Sequence, residues 1–299
     1  MKKLKKMNFL DALIICCILL LIIITSAGAC SFSTTKAYDV VNQYGDTVKI
    51  FGSGIYSHDS YFRAPILIGT DIVMLIVVVP VLIISLIKNI QKRNVKSKLN
   101  LAALMGTVAY YSASISFGIS YNVFHLLYIA LFGTSLFALF ILVRDIDLNV
   151  LKNSQVWELP TKGVRIFLIF SGIALFVAWL PDIIWSLQNG RSLKLIEVYT
   201  TEITYVIDMG IISPLMIVCL YLLKKKDGLG DLIFAILLRL CIIIGIMMIS
   251  QSLLQLLADI NIPVPALITK AASFAVLALF AVYFERKLYK GISEKRNEN

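Results

Sequence analysis

The sequence predicts an all-α polytopic membrane protein, a bundle of about eight transmembrane helices with a small external cap. Three observations predict it. Hydrophobic residues make up 59% of the chain, charged residues only 15%, and mean hydropathy is +0.86, where soluble domains carry roughly 45–50% apolar and about 25% charged residues. Eight runs are long and apolar enough to cross a bilayer, which takes about 20 residues as a helix. Basic residues are strongly biased to alternate loops. The 299 residues are filled by spans and short loops, so we read one membrane domain without an attached soluble module.

The predicted spans lie near 9–29, 66–87, 99–119, 122–143, 165–186, 203–223, 231–251 and 264–284. Stretches such as Ile22-Ile23-Ile24 and Val77-Val78-Val79 favour strands in water. In lipid every backbone N–H and C=O must be paired within the segment, so helix wins. A transmembrane barrel needs strands of about 10 residues with alternating polarity, and these runs are longer and do not alternate.

Lys and Arg set the expected orientation. One side would carry Lys2, Lys3, Lys5, Lys6, then Lys88 to Lys98, Arg144 to Arg165, Lys224 to Lys226 and Arg286 to Arg296, 21 basic residues in all. The other would carry Lys36, Lys49, Arg63, Arg191 and Lys194, only 5. By the positive-inside rule both termini are expected in the cytoplasm of a multi-pass protein of a bacterial plasma membrane. The net charge of +10 is thus a topology signal. Nucleic acid is not an expected partner, since the charges are scattered among short loops rather than gathered on one face.

The first run ends Ala27-Gly28-Ala29-Cys30 after a basic start, a loose likeness to a bacterial lipoprotein signal. Ala27 stands where such signals usually have Leu and Asp11 interrupts the apolar run, so a retained first helix is expected. Four of the five Cys residues fall inside spans as small apolar residues, no CxxC pair exists, and there are two His. No metal site and no cofactor are expected.

The segment 31–65 is the longest outside the spans, and Tyr38, Tyr44, Phe51, Tyr56, Tyr61 and Phe62 weigh against disorder. Asn42-Gln43-Tyr44-Gly45-Asp46 is a turn candidate. A small ordered cap on the outer mouth is one expectation. An interfacial segment that only anchors aromatics among headgroups is the other.

Ionisable groups at membrane depth are costly and tend to face the interior or a wet cavity. Asp71, Asp208 and Lys270 are each expected roughly 7–10 Å below the outer ends of their helices, Asp182 about 6 Å and His125 about 5 Å, at about 1.5 Å rise per residue. Thr201, Tyr205 and Asp208 share one helix face, and Asp182 stands between Trp179 and Trp185. Asp71, His125, Asp182, Tyr205, Asp208 and Lys270 are therefore the candidate ligand-binding set, a shared pocket open to the outside for a small polar, cationic ligand or a proton. Lys270 either belongs to that set, snorkels outward along its stem or serves as ion-pair partner of one of the acids, with Asp208 and Lys270 the first pair to examine. Arg239, expected near the midplane, needs a partner, with backbone carbonyls or a hydroxyl such as Tyr110 or Tyr111 as candidates. It is assigned either a structural clasp or an anion-binding role.

A faint internal repeat is visible. Asp71 and Asp208 both stand about five residues into a span, with Pro80 and Pro214 further along. Spans one to four and five to eight would then be parallel repeats. A small-solute or ion transporter or channel fits these features. The alternative is a membrane-embedded binding, accessory or immunity-type protein without transport. A membrane enzyme fits less well, since HExxH, GxSxG and paired acidic motifs are missing from the sequence. No catalytic residue is assigned.

Overall fold

The computed structural model describes residues 7–153 and 159–292. Lys2, Lys3, Lys5, Lys6, Lys295 and Arg296, which contribute to the charge bias, lie outside the described residues, as does the middle of the 144–164 segment.

Among the described residues eight helices are long and apolar enough to span a membrane: Phe9–Ala29, Ala64–Lys92, Val95–Gly118, His125–Asp145, Lys162–Asn189, Ile203–Lys224, Gly228–Leu257 and Val264–Gly291. They match the eight predicted runs and extend several by a turn or more, because helix continues past the apolar core into polar end turns. The second, fifth, seventh and eighth spans all do so. A short helix, Leu148–Asn153, follows the fourth span.

Local chemistry sets the helix ends. Asn8 caps the first span, its side chain accepting from Asp11 N while the Asp11 carboxylate accepts from Asn8 N, the reciprocal box that satisfies two orphan donors. The same carboxylate pairs with Arg93, which ends the second span in the left-handed region. One acid thus ties two helix ends together.

The second and sixth spans are each interrupted by a five-residue π-helical stretch, Met74–Val78 and Asp208–Ile212. In both cases a proline stands two residues further on, Pro80 and Pro214. Proline has no N–H to donate and its ring crowds the preceding turn, so the helix widens there.

The seventh span packs on the second, third, sixth and eighth, the third on the fourth, the first on the second and fourth, and the fifth on the sixth. Close approach needs small residues. A Cβ on Gly69 of the second span would lie 2.8 Å from Gln251 backbone of the seventh. The third span is the most enclosed, and the fifth and eighth are the least.

The cap is ordered and contains the only strands among the described residues, an antiparallel hairpin of β1 (Tyr38–Val41) and β2 (Thr47–Ile50). Its loop is the predicted turn. Asn42 Oδ1 accepts from Tyr44 N and Asp46 N, and Gly45 supplies the positive φ of 84°. Phe51, Ile55 and Tyr56 then bury against Ala64, Ile68 and Leu254, which seats the cap on the bundle. Below, "cap face" means this end and "basic face" the opposite end.

Candidate functional site

Hydrogen bonds divide the candidate residues between separate centres. They form two carboxyl centres, of which the Asp71 centre is hydrogen-bonded to the cap through Tyr56, with His125 and Lys270 outside both.

The first centre is Asp71, fully buried in the second span. Its two oxygens accept from Tyr56 of the cap and Tyr111 of the third span, each at 2.5 Å. Gly28 of the first span makes room for it: a Cβ there would lie 1.6 Å from Asp71 Oδ2. No cation pairs with Asp71 among the described residues. A buried carboxyl is costly unless hydrogen-bonded, and here neutral phenols alone supply the bonds.

The second centre is Asp208, at the start of the π-helical stretch of the sixth span. It accepts from Tyr110 of the third span at 3.1 Å and from Trp179 Nε1 of the fifth at 3.2 Å. Trp179 stacks on Tyr205 with ring centroids 4.6 Å apart, and Tyr205 donates to Asp182 Oδ2 at 3.0 Å. Asp182, Tyr205, Trp179 and Asp208 therefore form one continuous chain down the fifth–sixth interface. The consecutive residues Tyr110 and Tyr111 of the third span serve one centre each. Side chains one position apart on a helix diverge by about 100°, so one span reaches two carboxyls on different sides.

Above these centres the cap is clamped to the loop between the fifth and sixth spans. Asn42 and Gln43 side chains donate to the backbone carbonyls of Glu197 and Tyr199 at 2.9 and 3.1 Å. Tyr199 donates to Asp59 at 3.0 Å, Ser60 donates to Glu197, and Arg63 pairs with Glu202 at 2.6 Å while lying over the Tyr199 ring. Burial is the main cause of raised carboxyl values here. It lifts Asp59 to about 6 against hydrogen bonds from Ser120 and Tyr199, and Glu197 to about 7 against the Ser60 bond and the Arg63 charge.

Between the hairpin, the 190–197 loop and Asp259–Asn261 lies an open cavity of about 1120 Å³. Its walls carry Asp46, Glu197 and Asp259 against Lys49, Arg191 and Lys194, so it is balanced in charge. Glu197 and Asp259 both hold a positive φ, 48° and 53°, without being glycine, a conformation that costs energy and is kept where surrounding structure enforces it.

His125 starts the fourth span and rests against Tyr121 with ring centroids 5.3 Å apart. Lys270 makes no ion pair with Asp208 or another acid among the described residues. The expected partners of Arg239 are also corrected. Its Nε donates to Glu285 at 2.8 Å and its Nη2 to Asn100 at 3.0 Å. Tyr110 and Tyr111 are instead occupied by the two aspartates. The eighth span runs on to Gly291 rather than stopping near 284, which brings Glu285 into the bundle beside Arg239.

No protein-family profile, curated protein or solved structure matches this chain.

Several residues of these centres carry no signal that a sequence pattern would isolate. Gly28 reads as one small residue among several, and Tyr56 as one of the cap aromatics. Tyr110-Tyr111 is the exception, since two adjacent phenols in an apolar span need two separate partners once buried. Glu197, Tyr199 and Glu202 stand in a loop whose docking onto the cap depends on the fold.

Proposed function

We propose that this integral membrane protein moves a small cationic solute or ion, and that the carboxyls of Asp71 and Asp208 are its coupling groups. The observation that carries this reading is their matched placement. Each lies on a span widened by a π-helical stretch just before a proline, each accepts from one of two consecutive tyrosines of the third span, and neither has a cationic partner among the described residues. A carboxyl held only by neutral donors keeps its charge available for a proton or a cation. π-bulges and prolines are where spans bend or change register, so the binding groups stand next to the points where the helices can move. The second and sixth spans are also equivalent positions if the two halves are parallel repeats. In this reading the basic face is cytoplasmic and the cap external.

The test is charge movement in proteoliposomes on a solid-supported membrane, after a jump in pH or in sodium concentration. A transient current is expected for the native protein. Asp71→Asn and Asp208→Asn should abolish it, while Asp39→Asn, on the exposed face of the hairpin, should leave it intact. A transient unaffected by both variants would overturn the assignment.

A second reading is a binding or accessory protein without transport. Its support is the cap-face cavity of about 1120 Å³, flanked by two strained non-glycine residues. Absence of any transient in the native protein would favour it.

A further inference from the structure

A second cavity, of about 340 Å³, opens on the basic face where the second, third, seventh and eighth spans meet. Lys88 and Lys92 of the second span, Lys96 of the third and Arg239 of the seventh line it, and no carboxylate does. The contrast with the charge-balanced cap-face cavity is direct. Lys88, Lys92 and Lys96 form no ion pair among the described residues. Arg239 is fixed from behind by Glu285 and Asn100, and Asn100 in turn donates to Ser85 at 2.7 Å. The floor is therefore rigid while the three ammonium groups remain unmatched. Tyr289 also lines the cavity, with its hydroxyl buried behind the surface and without a hydrogen-bond partner among the described residues.

The cavity also borders the lipid-facing surface. Ser85, Lys88 and Lys92 are spaced by three and four and share a helix face. Ile84, one turn from Lys88, is 51% exposed, and Ile87 is 46% exposed. A polar, cationic pocket thus continues into apolar surface. A soluble anion would use only the first part of this arrangement, whereas an amphiphile uses both.

We infer that this cavity is a site for the phosphate group of an anionic membrane lipid, with the lipid's acyl chains lying along the Ile84 face. Lys88, Lys92 and Lys96 neutralise the phosphate, and Arg239 ties the third and eighth spans to the seventh behind it. Basic pockets between spans bind such headgroups by the same physics.

The test measures lipid binding to the full-length protein in detergent by native mass spectrometry, with phosphatidylglycerol, phosphatidylcholine and inorganic phosphate as probes. Each lysine near a bilayer surface contributes about 1 kcal/mol toward an anionic lipid, roughly a fivefold change in affinity. Replacing Lys88, Lys92 and Lys96 together by Gln should weaken phosphatidylglycerol binding on the order of a hundredfold, and replacing the same three by Arg should retain it. The matched control replaces Lys224, Lys225 and Lys226 by Gln, three charges at the turn after the sixth span that do not line the cavity, and should change binding little. An equal loss in the control would overturn the site in favour of general surface charge. So would phosphatidylglycerol binding no tighter than phosphatidylcholine. Inorganic phosphate binding to the native protein but not to the Gln variant, without competition from phosphatidylglycerol, would overturn the lipid assignment in favour of a soluble phosphate ligand. These readouts do not depend on transport, so they stand or fall apart from the roles of Asp71 and Asp208.

Discussion

Replacing Gly28 by Ala tests the buried Asp71 centre through the sign of a stability change. In a helix with free space, Gly→Ala gains up to about 1 kcal/mol, because Ala has the higher helix propensity. At Gly28 the added Cβ would lie 1.6 Å from Asp71 Oδ2 and 2.6 Å from its Cγ. The carboxyl cannot stay in place, and moving it strains or breaks the 2.5 Å bonds from Tyr56 and Tyr111. Overpacking costs about 1–3 kcal/mol, and each weakened buried hydrogen bond about 1–3 kcal/mol when its group is left unsatisfied. Against the propensity gain, the net effect is a loss of roughly 2–4 kcal/mol. For a chain of 299 residues that lowers Tm by roughly 3–6 °C. Because Tyr56 belongs to the cap, the cap should also become more sensitive to protease. The assay is thermal unfolding of the purified protein in detergent, for Gly28→Ala, Asp71→Ala and the double variant. In the Asp71→Ala background the carboxyl is gone and only the Cβ of residue 71, 3.2 Å away, remains in front of the added methyl, so a shift of a few tenths of an ångström relieves it and Gly28→Ala should be close to neutral. Equal effects of Gly28→Ala in both backgrounds, or stabilisation in the native background, would refute the reasoning.

Three further outcomes are expected. Arg239→Met should destabilise by about 1–3 kcal/mol, since it strands the partly buried Glu285 without its charge partner, and Arg239→Met with Glu285→Met should recover much of the loss in the same unfolding assay; failure of the second change to recover any of it would contradict the clasp. Asp59 and Glu197 have folded carboxyl values raised by burial from ordinary values of 3.8 and 4.5 to about 6 and about 7, so the closed clamp binds protons that the opened one releases. Its stability is therefore full below about pH 4 and falls as pH rises through 6 to 7, and hydrogen exchange of residues 38–62 and 190–202, corrected for intrinsic rates, should be faster at pH 8 than at pH 5; pH-independent protection would count against it. Impermeant thiol labelling from outside intact cells should modify Asp46→Cys and spare Lys225→Cys, each read against a background with the native cysteines replaced, and the reverse pattern would invert the topology.

How much was legible in the sequence differs from element to element. All eight spans were readable, because lipid removes the competing solvent and leaves helix as the one local solution for a long apolar run. The turn at Asn42–Asp46 was readable for a similar local reason, since Asn and Gly chemistry acts within five residues. The helix ends were less so. The eighth span runs past 284 to Gly291, and that extra turn changes which residue Arg239 meets. Asp71 and Asp208 could be singled out by their cost in an apolar run, but not their partners.

By itself the sequence determined the class, the number of crossings, the charge asymmetry between the two faces and the ionisable residues at depth, all of which follow from one-dimensional composition and period. The tertiary structure alone decided that Tyr111 meets Asp71 while Tyr110 meets Asp208, that Gly28 leaves space for a carboxyl, that Lys270 stays apart from the acids, and that three lysines ring a cavity in front of Arg239. The physical reason is that helix periodicity states which way a side chain leaves its own axis, whereas its partner depends on the rotation, depth and crossing of a second helix. Those are set by packing of small residues and apolar surfaces distributed over the whole bundle.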